Sequence, residues 1–166
     1  MINNYLECQI KENFPYTPTV EQEIALKLLS KFLLSFLKDE VFILRGYAGT
    51  GKTSLIGALV KAMDKIQQKS ILLAPTGRAA KVFSTYAKHP AYTIHKKIYR
   101  QRTTSDETIN FSINDNLHTH TLFIVDEASM VSNKELLDSI FGTRRLLDDL
   151  IHFVYSGEGC RLLLIV

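Results

Sequence analysis

Four short apolar runs recur along the chain, and longer stretches separate them. The runs cover residues 41–44, 71–74, 122–125 and 162–165. Continuous apolar runs of this kind are typical of strands that are covered on both faces in a parallel sheet. Because helical patterns lie between the runs, we predict an α/β fold in which strands and helices alternate.

An amphipathic pattern precedes the first run and predicts a helix over residues 18–38. Thr17 is the expected N-cap, and Pro18 would lie in the first turn. The apolar residues that return at helical spacing, and that we expect on the core side, are Val20, Ile24, Leu28, Leu29, Phe32, Leu33, Phe36 and Leu37.

Further helices are predicted after the first and third runs. One follows the first run and continues to about Met63. Another begins at Ser132 with a capping box, and a third covers residues 144–155. Residues 103–120 are rich in Thr, Ser, Asn and Asp, which predicts a surface excursion with a hairpin around residues 109–113.

The composition is that of an ordinary globular protein, with 46% hydrophobic and 22% charged residues. None of the apolar runs approaches the roughly 20 residues that a transmembrane helix needs. The N-terminus lacks a basic segment followed by an apolar stretch, which a signal peptide would show. Cys8 and Cys160 have no metal-ligand spacing, so we interpret them as reduced thiols. We therefore expect a cytoplasmic protein without a membrane partner.

Basic residues are concentrated between Asp64 and Asp106, where no acidic residue occurs. This basic segment carries +9, whereas the whole chain carries only +3. On charge alone, a solvated basic face and a nucleic-acid surface are equally supported. The residues concerned are Lys65, Lys69, Arg78, Lys81, Lys88, Lys96, Lys97, Arg100 and Arg102.

Residues 46–53 read Gly-Tyr-Ala-Gly-Thr-Gly-Lys-Thr and match the phosphate-binding pattern G-x-x-x-x-G-K-[ST]. Glycines let successive backbone N–H groups point at an anion, and the following helix adds the positive end of its dipole. Lys52 is expected to reach the β- and γ-phosphates of ATP or a related nucleotide, and the Thr53 hydroxyl to bind Mg²⁺. The other residues expected to contact the nucleotide are Gly46, Ala48, Gly49, Thr50 and Gly51.

Two acidic residues end the third apolar run. Asp126 follows the strand directly, where its carboxylate is expected to hold Mg²⁺ through the water shell of the ion. Glu127 is expected to orient and polarise the attacking water. The sequence thus predicts a site in which Lys52 and Glu127 are catalytic, while Thr53 and Asp126 hold the metal.

Several ordered blocks resemble those of superfamily 1 helicases, specifically the RecD-like branch 1B. Thr19-Val20-Glu21-Gln22 resembles the Q motif, whose glutamine reads the adenine edge, and this implies the same role for Gln22. The other matching blocks are residues 46–53 (motif I), Ala-Pro-Thr-Gly-Arg-Ala-Ala at 74–80 (motif Ia), Thr-Ile-His at 93–95, and Asp-Glu-Ala-Ser-Met at 126–130 (motif II).

The resemblance implies a RecA-like P-loop NTPase fold, with three α/β/α layers and a mainly parallel sheet, and single-stranded DNA as a partner. In the family, motif Ia and the Thr-Ile-His block contact DNA, and both blocks fall inside the basic segment. The residues to which this implies a DNA contact are Pro75, Thr76, Gly77, Arg78, Thr93 and His95.

Other side chains of the basic segment offer DNA contacts of their own. The positive charges that could follow the DNA backbone are those of Arg78, Lys81, Lys96 and Lys97. Tyr92 or Tyr99 could stack on a base, although core packing is favoured for either ring. Farther along the chain, we interpret His118 and His120 as surface residues.

In related P-loop folds, the strand corresponding to residues 162–165 inserts between the P-loop strand and the strand that ends in motif II. Family members continue into motif III and a second RecA-like domain, neither of which occurs within the 166 residues. We therefore expect one partial RecA-like domain over residues 1–166, with the helix at 18–38 and a core at 41–166. Its sheet would be incomplete at the C-terminal end and prone to self-association.

The parent protein is expected to be an ATP-dependent 5′-to-3′ DNA helicase, of which this chain alone would be inactive. Two alternatives remain open. One is a fragment of an RNA-directed superfamily 1 helicase. The other is a non-catalytic P-loop module that binds DNA or a protein. Repair, recombination, and plasmid or phage functions are all open as the biological process.

Overall fold

The computed structural model describes residues 2–103, 109–132 and 145–166. The helices are α1 (Ile2–Glu12), α2 (Val20–Leu34), α3 (Lys52–Lys65), α4 (Gly77–Ala87), α5 (Ile94–Ile98) and α6 (Leu146–Tyr155). The strands are β1 (Val41–Leu44), β2 (Lys69–Ala74), β3 (Ala91–Thr93), β4 (Tyr99–Thr103), β5 (Ile109–Ile113), β6 (Thr121–Val125) and β7 (Arg161–Ile165). A 3₁₀ turn covers Ala128–Met130.

Five strands form a parallel sheet in the order β1-β7-β6-β2-β3. All four strands predicted from the apolar runs are present in it. The prediction that the last strand inserts between the P-loop strand and the motif II strand is confirmed, because β7 pairs with β1 on one side and with β6 on the other. The α/β fold of the P-loop NTPase type is therefore confirmed.

Alternating residues of the sheet face two different layers of helices. On one face, Leu72, Ile124 and Leu163 pack with buried residues of α1, α2, α3 and α4. On the other face, Leu73, Phe123 and Leu164 pack with α5 and α6. Successive side chains of a strand point to opposite faces, so strands that are apolar at every position bury both faces. This gives the three α/β/α layers.

The first long helix differs from its prediction at both ends, because α2 covers Val20–Leu34 rather than residues 18–38. Thr17 is not the cap. The Thr19 side chain accepts a hydrogen bond from the Gln22 N–H at 3.3 Å, and the Gln22 side chain accepts one from the Thr19 N–H at 3.0 Å. This reciprocal capping box satisfies two backbone donors and fixes the helix start at Val20.

The predicted core side of α2 is also partly wrong. Val20, Ile24 and Leu28 are exposed, as are Phe36 and Leu37 beyond the end of the helix. The buried side instead contains Gln22, Leu26, Leu29, Ser30 and Phe32. The reason is α1, a helix that the sequence analysis did not predict. It packs against both α2 and α3 through Leu6 and Ile10, and it thereby determines which side of α2 is covered.

A hairpin is present near the predicted position, but it begins before the expected surface excursion, because residues 109–113 form one strand, β5, and its partner β4 covers Tyr99–Thr103. Strand β4 pairs antiparallel with β5, and Tyr99 lies opposite Ile113 in the register. The last described helix begins at Leu146, close to the predicted residue 144. The helix predicted from Ser132 falls mainly outside the described residues. Within the described ranges, every helix is too short or too polar to cross a membrane.

Candidate nucleotide site

Four of the five blocks with candidate site residues, all except the one that contains Gln22, lie where strands end at one edge of the sheet. Leu44 pairs with Ile165, Leu164 with Val125, Leu73 with Val125, and Ala74 with Thr93. Because these strands are parallel, their carboxyl ends lie together. The glycine-rich loop, Asp126, the start of α4 and the Thr93–His95 segment therefore share this edge.

The loop over residues 46–51 has the conformation that its glycines allow. Gly49 and Gly51 have φ angles of 80° and 82°, in the left-handed region, and Gly51 is the N-cap of α3. A Cβ atom at Gly51 would lie 2.2 Å from Nε2 of Gln22. The side chain of Lys52 bends back over the loop and donates to the carbonyl oxygens of Gly46 and Tyr47. Its ammonium group thus lies over the loop that the sequence predicts to bind phosphate.

Gln22 reaches this loop from α2 and holds it. Its Nε2 donates to the carbonyl oxygen of Thr50 at 3.0 Å, while its Oε1 accepts from the Thr19 N–H. The side chain is buried, with 7% of its surface exposed. An amide group has two N–H donors and two acceptor lone pairs, so one of each remains for a ligand.

An open cleft of about 700 Å³ lies between α2 and the loop. Six of the residues expected at the nucleotide line it, namely Gln22, Gly46, Gly49, Thr50, Gly51 and Lys52. Within the described ranges, its lining does not include Ala48, Thr53, Asp126 or Glu127. Residues that the sequence analysis missed also line it, among them Tyr16, Thr19, Glu21, Arg45 and Tyr47. Arg45 directly precedes the motif and Tyr47 lies within it, so both positions could have been predicted from the sequence.

Asp126 is held by two hydrogen bonds at the end of β6. Its Oδ1 accepts from the Glu127 N–H at 2.9 Å, and its Oδ2 accepts from the Tyr86 hydroxyl at 2.6 Å. Burial, followed by the hydrogen bond to Asp126, raises the pKa of Tyr86 well above its usual value, because both disfavour the phenolate. Glu127 has a left-handed φ of 51°. Tyr86 was not among the predicted site residues, and no local sequence pattern marks it.

The donor set at this edge suits Mg²⁺. Thr53 is exposed in the first turn of α3, and the Asp126 carboxylate follows a strand of the same sheet. Mg²⁺ prefers oxygen ligands, and in nucleotide sites it uses one or two protein groups together with phosphates and water. Among the described side chains, no group of three or more His, Cys, Asp or Glu forms a metal-binding cluster. A phosphate-held ion does not need one.

A second, smaller groove of about 390 Å³ lies beside the start of α4. It contains Gly77 and Thr93 of the expected DNA contacts, together with the exposed charges of Lys81 and Lys96. The remaining expected contacts, Pro75, Thr76, Arg78 and His95, do not line this groove. Thr76 and Thr93 accept hydrogen bonds from Ala79 N–H and Lys96 N–H as helix caps, and each keeps its own hydroxyl proton to donate.

The two candidate stacking tyrosines have different environments. Tyr92 lines the groove with 41% of its surface exposed, and the Lys97 ammonium lies 6.0 Å from its ring centroid. Tyr99 is buried and donates to Oδ2 of Asp149 at 2.6 Å. The prediction of core packing is therefore confirmed for Tyr99, whereas the exposed ring of Tyr92 is accessible to a ligand.

The three histidines considered in the sequence, His95, His118 and His120, have different environments. His95 is half-buried, its ring centroid lies 5.7 Å from that of Tyr99, and burial lowers its pKa. His120 is exposed, as predicted. His118 is not simply a surface residue, because its half-buried ring packs edge-on against Phe123.

A glycine-rich loop that leads into a helix at Lys52, beside a strand that ends in Asp126, defines a P-loop nucleotide-binding domain of the NTPase type. Residues 27–143 match the AAA domain family, which is more than half of the sequence, and the chain belongs to this family.

Two known proteins are similar to the chain over part of their lengths. An uncharacterized protein of Methanocaldococcus jannaschii is 33% identical over 150 residues, which is 83% of this chain and 12% of that protein. The multifunctional conjugation protein TraI of Escherichia coli is 32% identical over 105 residues, which is 59% of this chain and 6% of TraI. The chain thus spans only a small part of the curated relatives that it matches.

Proposed function

We propose that the chain binds Mg²⁺-ATP and is the N-terminal ATPase module of a RecD-like, superfamily 1B DNA helicase. In the parent protein, hydrolysis would drive translocation on single-stranded DNA and separation of the duplex. The observation that carries the proposal is the shared edge of the sheet. The phosphate loop, the acidic pair and the groove flanked by Lys81 and Lys96 all follow strands that end there.

The residues can be given definite roles at a bound nucleotide. Lys52 and the amides of the loop would neutralise the phosphates, since both the ammonium and the helix N-terminus are positive. Bound Mg²⁺ would neutralise charge that develops between the β- and γ-phosphates. Glu127, next to the metal carboxylate, would accept a proton from the attacking water. Gln22 would use its remaining donor and acceptor on the adenine edge.

The nucleotide proposal is tested by calorimetric titration of Mg²⁺-ATP into the chain. Replacing Lys52 by Ala should abolish measurable binding, because the phosphates lose their only side-chain cation in the motif. Lys61→Ala is the matched control, since Lys61 is exposed on the same helix and away from the cleft. Equal affinities for wild type and Lys52→Ala would contradict the proposal.

The DNA proposal depends on the groove beside α4. Arg78, Lys81 and Lys96 pair with no carboxylate in the described part of the chain, so their charges remain available to phosphates. An exposed aromatic ring among such charges is the usual arrangement for stacking on single-stranded bases. The similarity to the multifunctional conjugation protein TraI is compatible with this interface.

Fluorescence anisotropy with a labelled oligonucleotide tests this interface. Tyr92→Ala should weaken binding of single-stranded DNA by about 1–3 kcal/mol, the usual value of one stacked base. Tyr5→Ala, at another exposed tyrosine, should have no effect. Stronger binding of RNA than of DNA would favour the RNA-helicase alternative.

A non-catalytic P-loop module is the other alternative, and intact Lys52, Thr53, Asp126 and Glu127 argue against it for the parent. We further propose that the chain acts in the cytoplasm and that, because it spans only 12% and 6% of the two relatives it matches, it does not unwind DNA alone. A strand-displacement assay with the purified chain tests the last point, and measurable unwinding would overturn it.

A further inference from the structure

The Tyr86 hydroxyl joins α4 to the carboxylate expected to hold magnesium. We propose that Tyr86 is a positioning residue for Asp126, and that its hydroxyl sets the affinity of the site for Mg²⁺. This inference rests on the proposed Mg²⁺-nucleotide site. The two residues are 40 positions apart in sequence, and the hydroxyl lies 2.6 Å from Oδ2 of Asp126.

Each oxygen of the Asp126 carboxylate is held by one donor, the Tyr86 hydroxyl at Oδ2 and the Glu127 N–H at Oδ1. Two donors on different oxygens fix the plane of the carboxylate. Each oxygen can accept a second hydrogen bond, so both can still contact a water molecule of the metal shell. The arrangement therefore orients Asp126 without blocking it.

The backbone donor alone would leave the carboxylate poorly supported. Glu127 has a left-handed φ of 51°, which is an unfavourable conformation for a residue with a side chain. The turn after β6 therefore depends on contacts from neighbouring elements. The Tyr86 hydrogen bond is such a contact, and it comes from α4, a separate element of the fold.

Packing accounts for the ring of Tyr86 and not for its hydroxyl. The ring lies 5.1 Å from that of Phe83, between centroids, and it packs at the edge of the main core. A phenylalanine would fill the same space. Loss of a hydrogen bond to a metal-binding carboxylate typically weakens metal affinity by about 10- to 100-fold, which predicts a specific deficit for Tyr86→Phe.

The test measures how binding of a fluorescent, non-hydrolysable ATP analogue depends on the concentration of MgCl₂. For Tyr86→Phe, we expect the Mg²⁺ concentration at half-maximal effect to rise by about 10-fold or more. Affinity for the analogue in EDTA should be unchanged, because the cleft residues are intact. If Tyr86 had only a structural role, Tyr86→Phe would change analogue binding in EDTA and in MgCl₂ alike.

Tyr99→Phe is the matched control. Tyr99 also donates to an aspartate at 2.6 Å, and its partner Asp149 is outside the candidate nucleotide site. Both variants should lose similar thermal stability, while only Tyr86→Phe should change the Mg²⁺ dependence. In an Asp126→Asn background, Tyr86→Phe should cause no further change, since the group that it orients is gone.

The outcomes separate the inference from the function on which it rests. If wild type shows no Mg²⁺-dependent binding of the analogue, the proposed function and the inference both fail. If wild type shows it and Tyr86→Phe has the same Mg²⁺ midpoint, only the inference is overturned. A lower midpoint for Tyr86→Phe would also overturn it, because the hydroxyl would then compete with the metal.

Discussion

Gly51 is the position in the phosphate loop where a methyl group should do most harm. Its φ of 82° lies in the left-handed region, and a Cβ atom there would lie 2.2 Å from Nε2 of Gln22 and 2.9 Å from the Tyr16 hydroxyl oxygen. Two other glycines provide controls. Gly49 has a φ of 80° and no neighbour within 4 Å of an added Cβ, while Gly77 has neither constraint.

The three Gly→Ala substitutions should therefore separate backbone strain from steric contact. A left-handed conformation costs an L-residue about 1–2 kcal/mol, which is the loss of stability expected for Gly49→Ala. In Gly51→Ala, Gln22 must also move away from Thr50 and Thr19, and each lost hydrogen bond costs about 1 kcal/mol. The expected total for Gly51→Ala is about 3–4 kcal/mol. Gly77→Ala should be neutral or stabilising by up to about 1 kcal/mol.

Urea unfolding at 25 °C measures these differences. Thermal unfolding gives a second estimate, since 1 kcal/mol corresponds to about 2–4 °C in a domain of this size. Gln22→Ala removes the side chain that the new methyl group would displace. In that background, the excess cost of Gly51→Ala over Gly49→Ala should fall to the cost of moving the Tyr16 hydroxyl. If Gly51→Ala is no more destabilising than Gly49→Ala in the wild-type chain, Gln22 does not hold the loop.

Three further properties can be measured directly. Thr19→Ala should lower stability by about 1 kcal/mol through loss of the capping box, whereas Thr17→Ala should have no effect in the same melts. Burial, then two nearby lysine charges, lowers the pKa of His118 in the folded chain, so the unfolded chain takes up protons first. Stability should hold above about pH 6.5 and fall as the pH drops below it, and His118→Gln should flatten that dependence in urea titrations. The exposed stripe of Val20, Ile24 and Leu28 should promote self-association, so Ile24→Lys should lower the mass seen by light scattering. An unchanged mass would indicate that this stripe is not the contact.

The strands and the phosphate loop were predictable because short-range patterns determine them. Apolar runs of four residues indicate buried parallel strands, and all four predicted strands are in the sheet. The loop motif specifies its own conformation through Gly49 and Gly51. The start of α2 could also have been predicted, because Thr19 and Gln22 have the spacing of a capping box. The Thr-Pro pair just before them led to the wrong start.

Other features depend on contacts between distant segments. Apolar residues surround most of α2, so periodicity alone does not select the side that is buried. Leu26 and Leu29 are buried, and Ile24 and Leu28 are not, because α1 packs on one side. The pattern of α1 itself is weak, with only Leu6 and Ile10 reaching the core cluster among its described side chains.

Recognising the sequence motifs does not identify every residue of the site, because motif side chains bond to partners that are distant in the sequence. Gln22 and Asp126 both belong to blocks that sequence alone marks as functional. Their partners are the Thr50 carbonyl, 28 residues from Gln22, and the Tyr86 hydroxyl, 40 residues from Asp126. A backbone carbonyl has no sequence signature, and a tyrosine in an amphipathic helix has the same pattern as any core residue. The crossover of α4 between β2 and β3 determines whether that hydroxyl meets a carboxylate or solvent. Residues that position the functional groups of a P-loop site can therefore occupy ordinary helix positions that face the carboxyl ends of the strands.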